Sequence, residues 1–97
     1  MIVVLNNKPH NFTGLFINIY KTRHYYKNNM LHRFYGCAIK NIFGAQYYYI
    51  ENNLHRMDGP AAIYSSKLKE WWYHGNLIGK NINKEVFDKE VAKLWLL

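Results

Sequence analysis

Short runs of β-branched, aromatic and aliphatic residues alternate with clusters of Asn, Gly, Lys and Ser for most of the chain, with a turn signal about every ten residues. That rhythm predicts strands near residues 2–5, 15–20, 24–28, 37–42, 46–51, 60–65 and 68–74, joined as a meander. Asn52-Asn53 and His74-Gly75-Asn76 supply residues that accept positive φ, as tight hairpins require. Gly36 and Gly59 mark a second bend, and Phe43-Gly44 or Ser65-Ser66 a third. Only the last segment changes period. There Asn83 reads as an N-cap, and Val86, Phe87, Val91, Leu94 and Trp95 form an apolar stripe on a helix of roughly 12–14 residues. Glu85 and Lys89 add an i,i+4 pair in the favourable order.

The turn rhythm belongs to an internal repeat. The segment from Tyr25-Tyr26 through Asn28-Asn29, Leu31-His32-Arg33 and Gly36 to Ala38 overlies Tyr48-Tyr49 through Asn52, Leu54-His55-Arg56 and Gly59 to Ala61 after a shift of 23 residues. The same shift carries Tyr48-Tyr49 onto Trp71-Trp72, and a shift of 22 carries His32, Phe34 and Gly36 back onto His10, Phe12 and Gly14. Three full units near 1–22, 23–45 and 46–69, and a fourth that stops around Lys80, follow from this. The expected fold is therefore mainly β: a single antiparallel meander sheet of about seven strands, built from three and a half hairpin repeats of 22–23 residues and capped by a C-terminal α-helix. Residues 1–80 form the repeat sheet and 81–97 the capping helix of one compact domain. Alternation along the strands puts Val3/Leu5, Tyr25/Lys27, Tyr48/Ile50 and Trp71/Tyr73 on one face and Val4, Tyr26, Tyr49 and Trp72 on the other. Both faces carry aromatics, so one needs a cover, which the helix supplies while also ending the array.

Composition adds a polarity to this layout. The chain has 97 residues, 18% of them aromatic, and a net charge of +7 from 13 Lys/Arg against 6 Asp/Glu. Every acid lies at or beyond Glu51, whereas Lys8, Lys21, Arg23, Lys27, Arg33 and Lys40 all precede it, so the first fifty residues are wholly basic. Such a field favours an acidic partner. One cysteine, Cys37, cannot build a disulfide framework or a thiolate zinc site, and it reads as a small buried hydrophobe. With no signal peptide or membrane-length apolar run, a cytoplasmic location and no membrane contact are expected.

The recurring His10, His32 and His55 invite a metal hypothesis, but equivalent positions two strands apart lie about 9.5 Å from each other, too far to share one ion. A bond from each imidazole to neighbouring turn backbone is the expected role. Arg56 and Asp58 flank the Gly59-Pro60 bend and read, together with His55, as a structural turn fixed by a charge-assisted bond. No nucleophile stands beside a base, and no phosphate-cradling Gly-rich loop is visible, so no catalytic residue, metal or cofactor is expected. The binding constellation is basic and aromatic: Lys21, Arg23, His24, Tyr25, Lys27, Arg33, Tyr35 and Lys40 interleave cations with rings. Cations can meet phosphates and rings can stack on bases, yet Tyr and Arg are also favoured at the centre of protein interfaces.

The third unit, Asn53-Leu54-His55-Arg56-Met57-Asp58-Gly59-Pro60-Ala61 followed by Trp71-Trp72-Tyr73-His74-Gly75, resembles the MORN-like repeat with its HRxDGPA and WxxxG signature. The second unit has Phe34-Tyr35-Gly36-Cys37 in place of Met57-Asp58-Gly59-Pro60, and the first lacks both the Arg and the Asp. The resemblance implies β-hairpin units in one extended sheet, of a kind common in phage and large-virus proteins, with a binding or scaffolding role. The resulting expectation is a non-catalytic protein-binding module. In its concrete form it is a viral or phage inhibitor of a host defence or nucleic-acid-handling complex. The expected partner is a host protein or nucleoprotein complex. Direct RNA or DNA binding and self-association, as in a homodimer, are the alternatives.

Overall fold

The structure, a computed structural model, describes residues 2–4 and 8–96. Strands β1 (Ile2–Val4), β2 (Gly14–Ile17), β3 (Arg23–Lys27), β4 (Met30–Leu31), β5 (Ile39–Lys40), β6 (Gln46–Tyr47), β7 (Tyr49–Ile50), β8 (Asn53–Leu54), β9 (Ala62–Ile63), β10 (Lys69–Tyr73) and β11 (Asn76–Lys80) precede one helix, α1 (Lys84–Leu94). Seven of the strands form the expected antiparallel meander, in the order β2-β3-β5-β6-β9-β10-β11. The first strand departs from a meander by joining β2 in parallel. Of the expected face assignments, Leu5 and the side chains of Val3 and Val4 lie outside the described residues.

The repeat is visible in the backbone as a forked strand. At the near end of β3, Arg23 and His24 pair with β5, while at the far end Tyr26 and Lys27 pair with β4. The fork is at Tyr25, whose N–H donates to Ala38 O and whose carbonyl accepts from His32 N–H. One period later Tyr48 does the same with Ala61 and His55, separating β6 in the main sheet from β7, which pairs with β8. In each unit the hairpin closes through two consecutive residues at positive φ: Asn28-Asn29, Glu51-Asn52 and His74-Gly75. Paired positive φ is the two-residue turn whose twist matches the strands. The expected Asn52-Asn53 turn thus sits one residue earlier. Glu51 is held there because Asn52 N–H donates to Leu31 O while Asn52 Oδ1 accepts from Leu31 N–H (2.7 Å).

What covers the fork differs along the array. The Arg33 guanidinium lies 3.9 Å from the Tyr25 ring centre and Arg56 lies 4.0 Å from Tyr48. Each also donates through Nη1 to a carbonyl four residues on, Cys37 O and Pro60 O. This cover requires glycine three residues after the arginine, since a Cβ on Gly59 would stand 2.7 Å from Arg56 Cζ. At the third equivalent position, Trp71, the strand does not fork, because β10 pairs with β11 on both sides of a bulge between Trp71 and Trp72. Gly79 takes the position of the arginine, and Trp71 is covered by Ile82 and by Phe87 of the helix. Trp71, Phe87 and Val91 form the buried cluster, with Tyr73, Ile78 and Ile82 packed on it. The helix begins where the sequence places it, Asn83 Oδ1 accepting from Val86 N–H. It caps only this end of one face, and the molecule stays a slab of 43 × 29 × 17 Å.

Candidate binding surface

Cross-strand register sorts the basic and aromatic residues onto two faces. Ile17, Arg23, Lys40, Gln46, Ile63 and Lys69 are successive partners across the sheet. They share the face of Tyr25, Trp71 and the helix, because side chains two residues apart lie on one side of a strand. The next row, Phe16, His24, Ile39, Tyr47, Ala62 and Glu70, points the other way. His24 is therefore separated from the other candidate residues. It packs between Phe16 and Tyr26, and burial holds its pKa below the usual histidine value. On the same side the buried Glu70 carboxylate accepts from Tyr64 Oη–H (2.7 Å) and Trp72 Nε1–H (3.2 Å). The bond to Glu70 and burial push the Tyr64 hydroxyl up to about 12.

On the helix face three of the expected cations gather. Lys21, Arg23 and Lys40, with Ile17, Asn41 and Ile42, line a depression of about 450 Å³. Arg23 and Lys40 face each other directly across β3 and β5 with no acid among the lining residues. Like charges so placed are unfavourable in isolation and become favourable when an anionic group lies over them. Lys27 does not belong to this group, because four residues of strand put it about 13 Å from Arg23. Tyr25 is under Arg33 and presents no free ring on that side.

The tips at this end of the sheet were hidden in the expected strands. Runs 15–20 and 37–42 stop short, at Ile17 and Lys40, because an Asn side chain turns the chain after each. Asn18 Oδ1 accepts from Tyr20 and Thr22 N–H, and Asn41 Oδ1 from Phe43 and Ala45 N–H. Residues Lys21, Gly44 and Lys67 then complete the three tips at positive φ, one period apart. Ile19, Tyr20, Ile42 and Phe43 are consequently thrown into solvent, with 61–75% of their surface exposed. The third tip carries Ser65 and Ser66 instead. The pair of Asn residues 23 apart, each just before an apolar pair, is the sequence signal that identifies these tips.

A second depression, a cleft of about 640 Å³, separates the loop after β4 from the loop after β8. Arg33, Phe34 and Tyr35 stand on one side, His55, Arg56, Met57 and Asp58 on the other, with Tyr48 between. The structural-turn residues meet here. Arg56 Nε donates to Asp58 Oδ1 at 3.1 Å, and Gly59 is buried under the same guanidinium. His55 Nδ1 accepts from His74 N–H (2.9 Å), as His32 Nδ1 accepts from Glu51 N–H (3.1 Å), so His32 and His55 each bond the next hairpin turn. In the first unit, by contrast, the corresponding Asn28 N–H donates to Thr13 Oγ1 (2.8 Å) in place of the expected His10. His55 also stacks on His74 with ring centres 3.9 Å apart, and burial together with that neighbour lowers its pKa. His32 Nε2 is buried without a hydrogen-bond partner, edge-on to the Phe34 ring at 5.0 Å. Cys37 is buried. Among the described residues no group of three or more His, Cys, Asp or Glu side chains converges on a metal-sized site, and no helix is long and apolar enough to cross a membrane.

No protein-family model matches the chain, and neither a curated protein nor a solved structure matches it.

Proposed function

We propose that the chain is a non-catalytic protein-binding module that receives an acidic partner on the tips at 18–22 and 41–45 and the basic depression beside them. The observation that carries this reading is the placement of exposed Ile19, Tyr20, Ile42 and Phe43 next to Lys21, Arg23 and Lys40. Apolar anchors ringed by charge are the anatomy of a protein interface. Two exposed isoleucines offer nothing to a phosphate backbone. The MORN-like resemblance and the acid-free first half extend the reading to inhibition of a host defence or nucleic-acid-handling complex by occupation of an acidic surface. Occupation requires no chemistry from the chain.

The test is affinity capture from native host lysate, with and without nuclease, using two variants. One combines Lys21→Glu, Arg23→Glu and Lys40→Glu, and the other Ile42→Ser with Phe43→Ser. A partner retained after nuclease and lost from both variants supports the reading. Tyr20 and Phe43 beside three cations could instead stack on unpaired bases. In that case capture disappears with nuclease, and oligonucleotide affinity falls steeply with salt. Capture untouched by both variants overturns this choice of surface.

A further inference from the structure

The second and third units use the same arginine cover, and they differ in what completes it. Arg56 donates through Nη1 to Pro60 O and through Nε to the Asp58 carboxylate. Arg33 donates through Nη1 to Cys37 O, but the residue at the position of Asp58 is Tyr35, and no carboxylate lies within ion-pair distance of Arg33 among the described residues. The molecule therefore displays one arginine with its carboxylate and one without, on opposite sides of the same cleft. A guanidinium has five donors in a plane suited to a carboxylate, so the unmet ones on Arg33 define a chemical vacancy.

We propose that this cleft binds a carboxylate side chain of an acidic polypeptide segment, with Arg33 as anchor in the way that Arg56 holds Asp58. The surroundings favour a single carboxylate on an apolar chain over a phosphate. Phe34, Tyr35 and Met57 are all exposed along the cleft and offer contact area to neighbouring side chains of such a segment. His55 contributes no second charge, since its Nδ1 is already the acceptor of the His74 N–H. Arg56 is neutralised internally. One uncompensated cation between apolar walls matches an Asp or Glu flanked by hydrophobic residues. The inference does not depend on the tip patch, from which it differs in every lining residue.

The probe is a blocked heptapeptide with one Glu between two Phe residues, and its Gln counterpart, titrated while the arginine Nε–H resonances are followed by NMR. The Glu peptide is expected to move the Arg33 signal, leave the Arg56 signal in place, and bind at least tenfold more tightly than the Gln peptide. Tyr35→Asp places an internal carboxylate beside Arg33 and is expected to weaken binding at least tenfold. Asp58→Asn frees the second guanidinium, so the Arg56 signal should then move as well. That variant keeps the proposal falsifiable if Tyr35→Asp does not fold. The triple variant at Lys21, Arg23 and Lys40 should bind the Glu peptide as wild type does, which separates this site from the tip patch. Equal binding of the two peptides, an unchanged affinity in folded Tyr35→Asp, or an oligothymidylate that moves the Arg33 signal at lower concentration than the peptide would each overturn it.

Discussion

Trp71 and the two forks at Tyr25 and Tyr48 occupy equivalent places in the repeat, yet Trp71 is dry and the forks are not. Trp71 lies under Phe87, with ring centres 5.0 Å apart, and belongs to the buried cluster. Tyr25 and Tyr48 lie under arginines whose guanidinium groups remain partly in solvent. A cation laid over an aromatic face covers it without needing another layer of structure, because its stem packs while its head stays hydrated. An array can carry such covers through its middle and remain one layer thick. At its end the arginine is absent, Gly79 standing in its place, and the helix covers Trp71 instead. The contrast explains how a slab 17 Å thick can hold aromatics on both faces.

The largest expected effect falls on the dry end. Phe87→Ala should cost about 3–5 kcal/mol, since it empties the centre of the cluster. Chemical denaturation should show it as a large loss, and a change below about 1 kcal/mol would mean that the helix contributes little to holding the sheet. At the hydrated forks Gly59→Ala should cost about 1–2 kcal/mol, because the new methyl group expels Arg56 from Tyr48 and from Pro60 O. The Arg56 Nε–H resonance should move with it, and an unshifted signal would show that the guanidinium tolerates the methyl group.

Protonation should act next, and in one direction. His55 has a pKa below its ordinary value through burial and the neighbouring His74, so the unfolded chain binds the proton more readily than the folded one. Stability is then complete above about pH 6.5, the unfolded value, and is lost as pH falls through the lower folded value. The half-buried His24, whose pKa burial also lowers, adds to the loss in the same direction. His55→Asn, which retains a side-chain acceptor for His74 N–H, should flatten the decline in melting temperature between pH 7.5 and 5. An identical decline would show that His55 does not carry the effect. The smallest change is expected from Asp58→Ala, under about 1 kcal/mol, because the carboxylate of this ion pair is largely solvated. A loss as large as that of Gly59→Ala would mean that the acid, rather than the stack, positions Arg56.

The repeat was legible because turns are local. Residues that accept positive φ recur 23 apart, and the strands between them are too short to be mistaken for helices. The capping helix was legible for a similar reason, Asn83 fixing its start, although only Phe87 and Val91 of the expected stripe are buried while Val86, Leu94 and Trp95 are exposed. The tips are not legible from alternation, because Ile19, Tyr20 and Ile42 look like strand residues until Asn18 and Asn41 are recognised as turning the chain. Adjacency places His24 with Arg23, although one residue along a strand changes the face. Lys21, Arg23 and Lys40 belong together only through the pairing of β3 with β5.

Period, turn positions, the terminal helix and the excess of positive charge in the first half all follow from the order of residues, since each depends on neighbours within a few positions or on a simple count. The forked strands, the arginines laid over tyrosines, the helix confined to one end and the convergence of three lysine and arginine side chains on one depression depend on register between segments far apart in the chain. Register is set by hydrogen bonding and packing across strands, so it becomes definite only when the whole sheet is assembled.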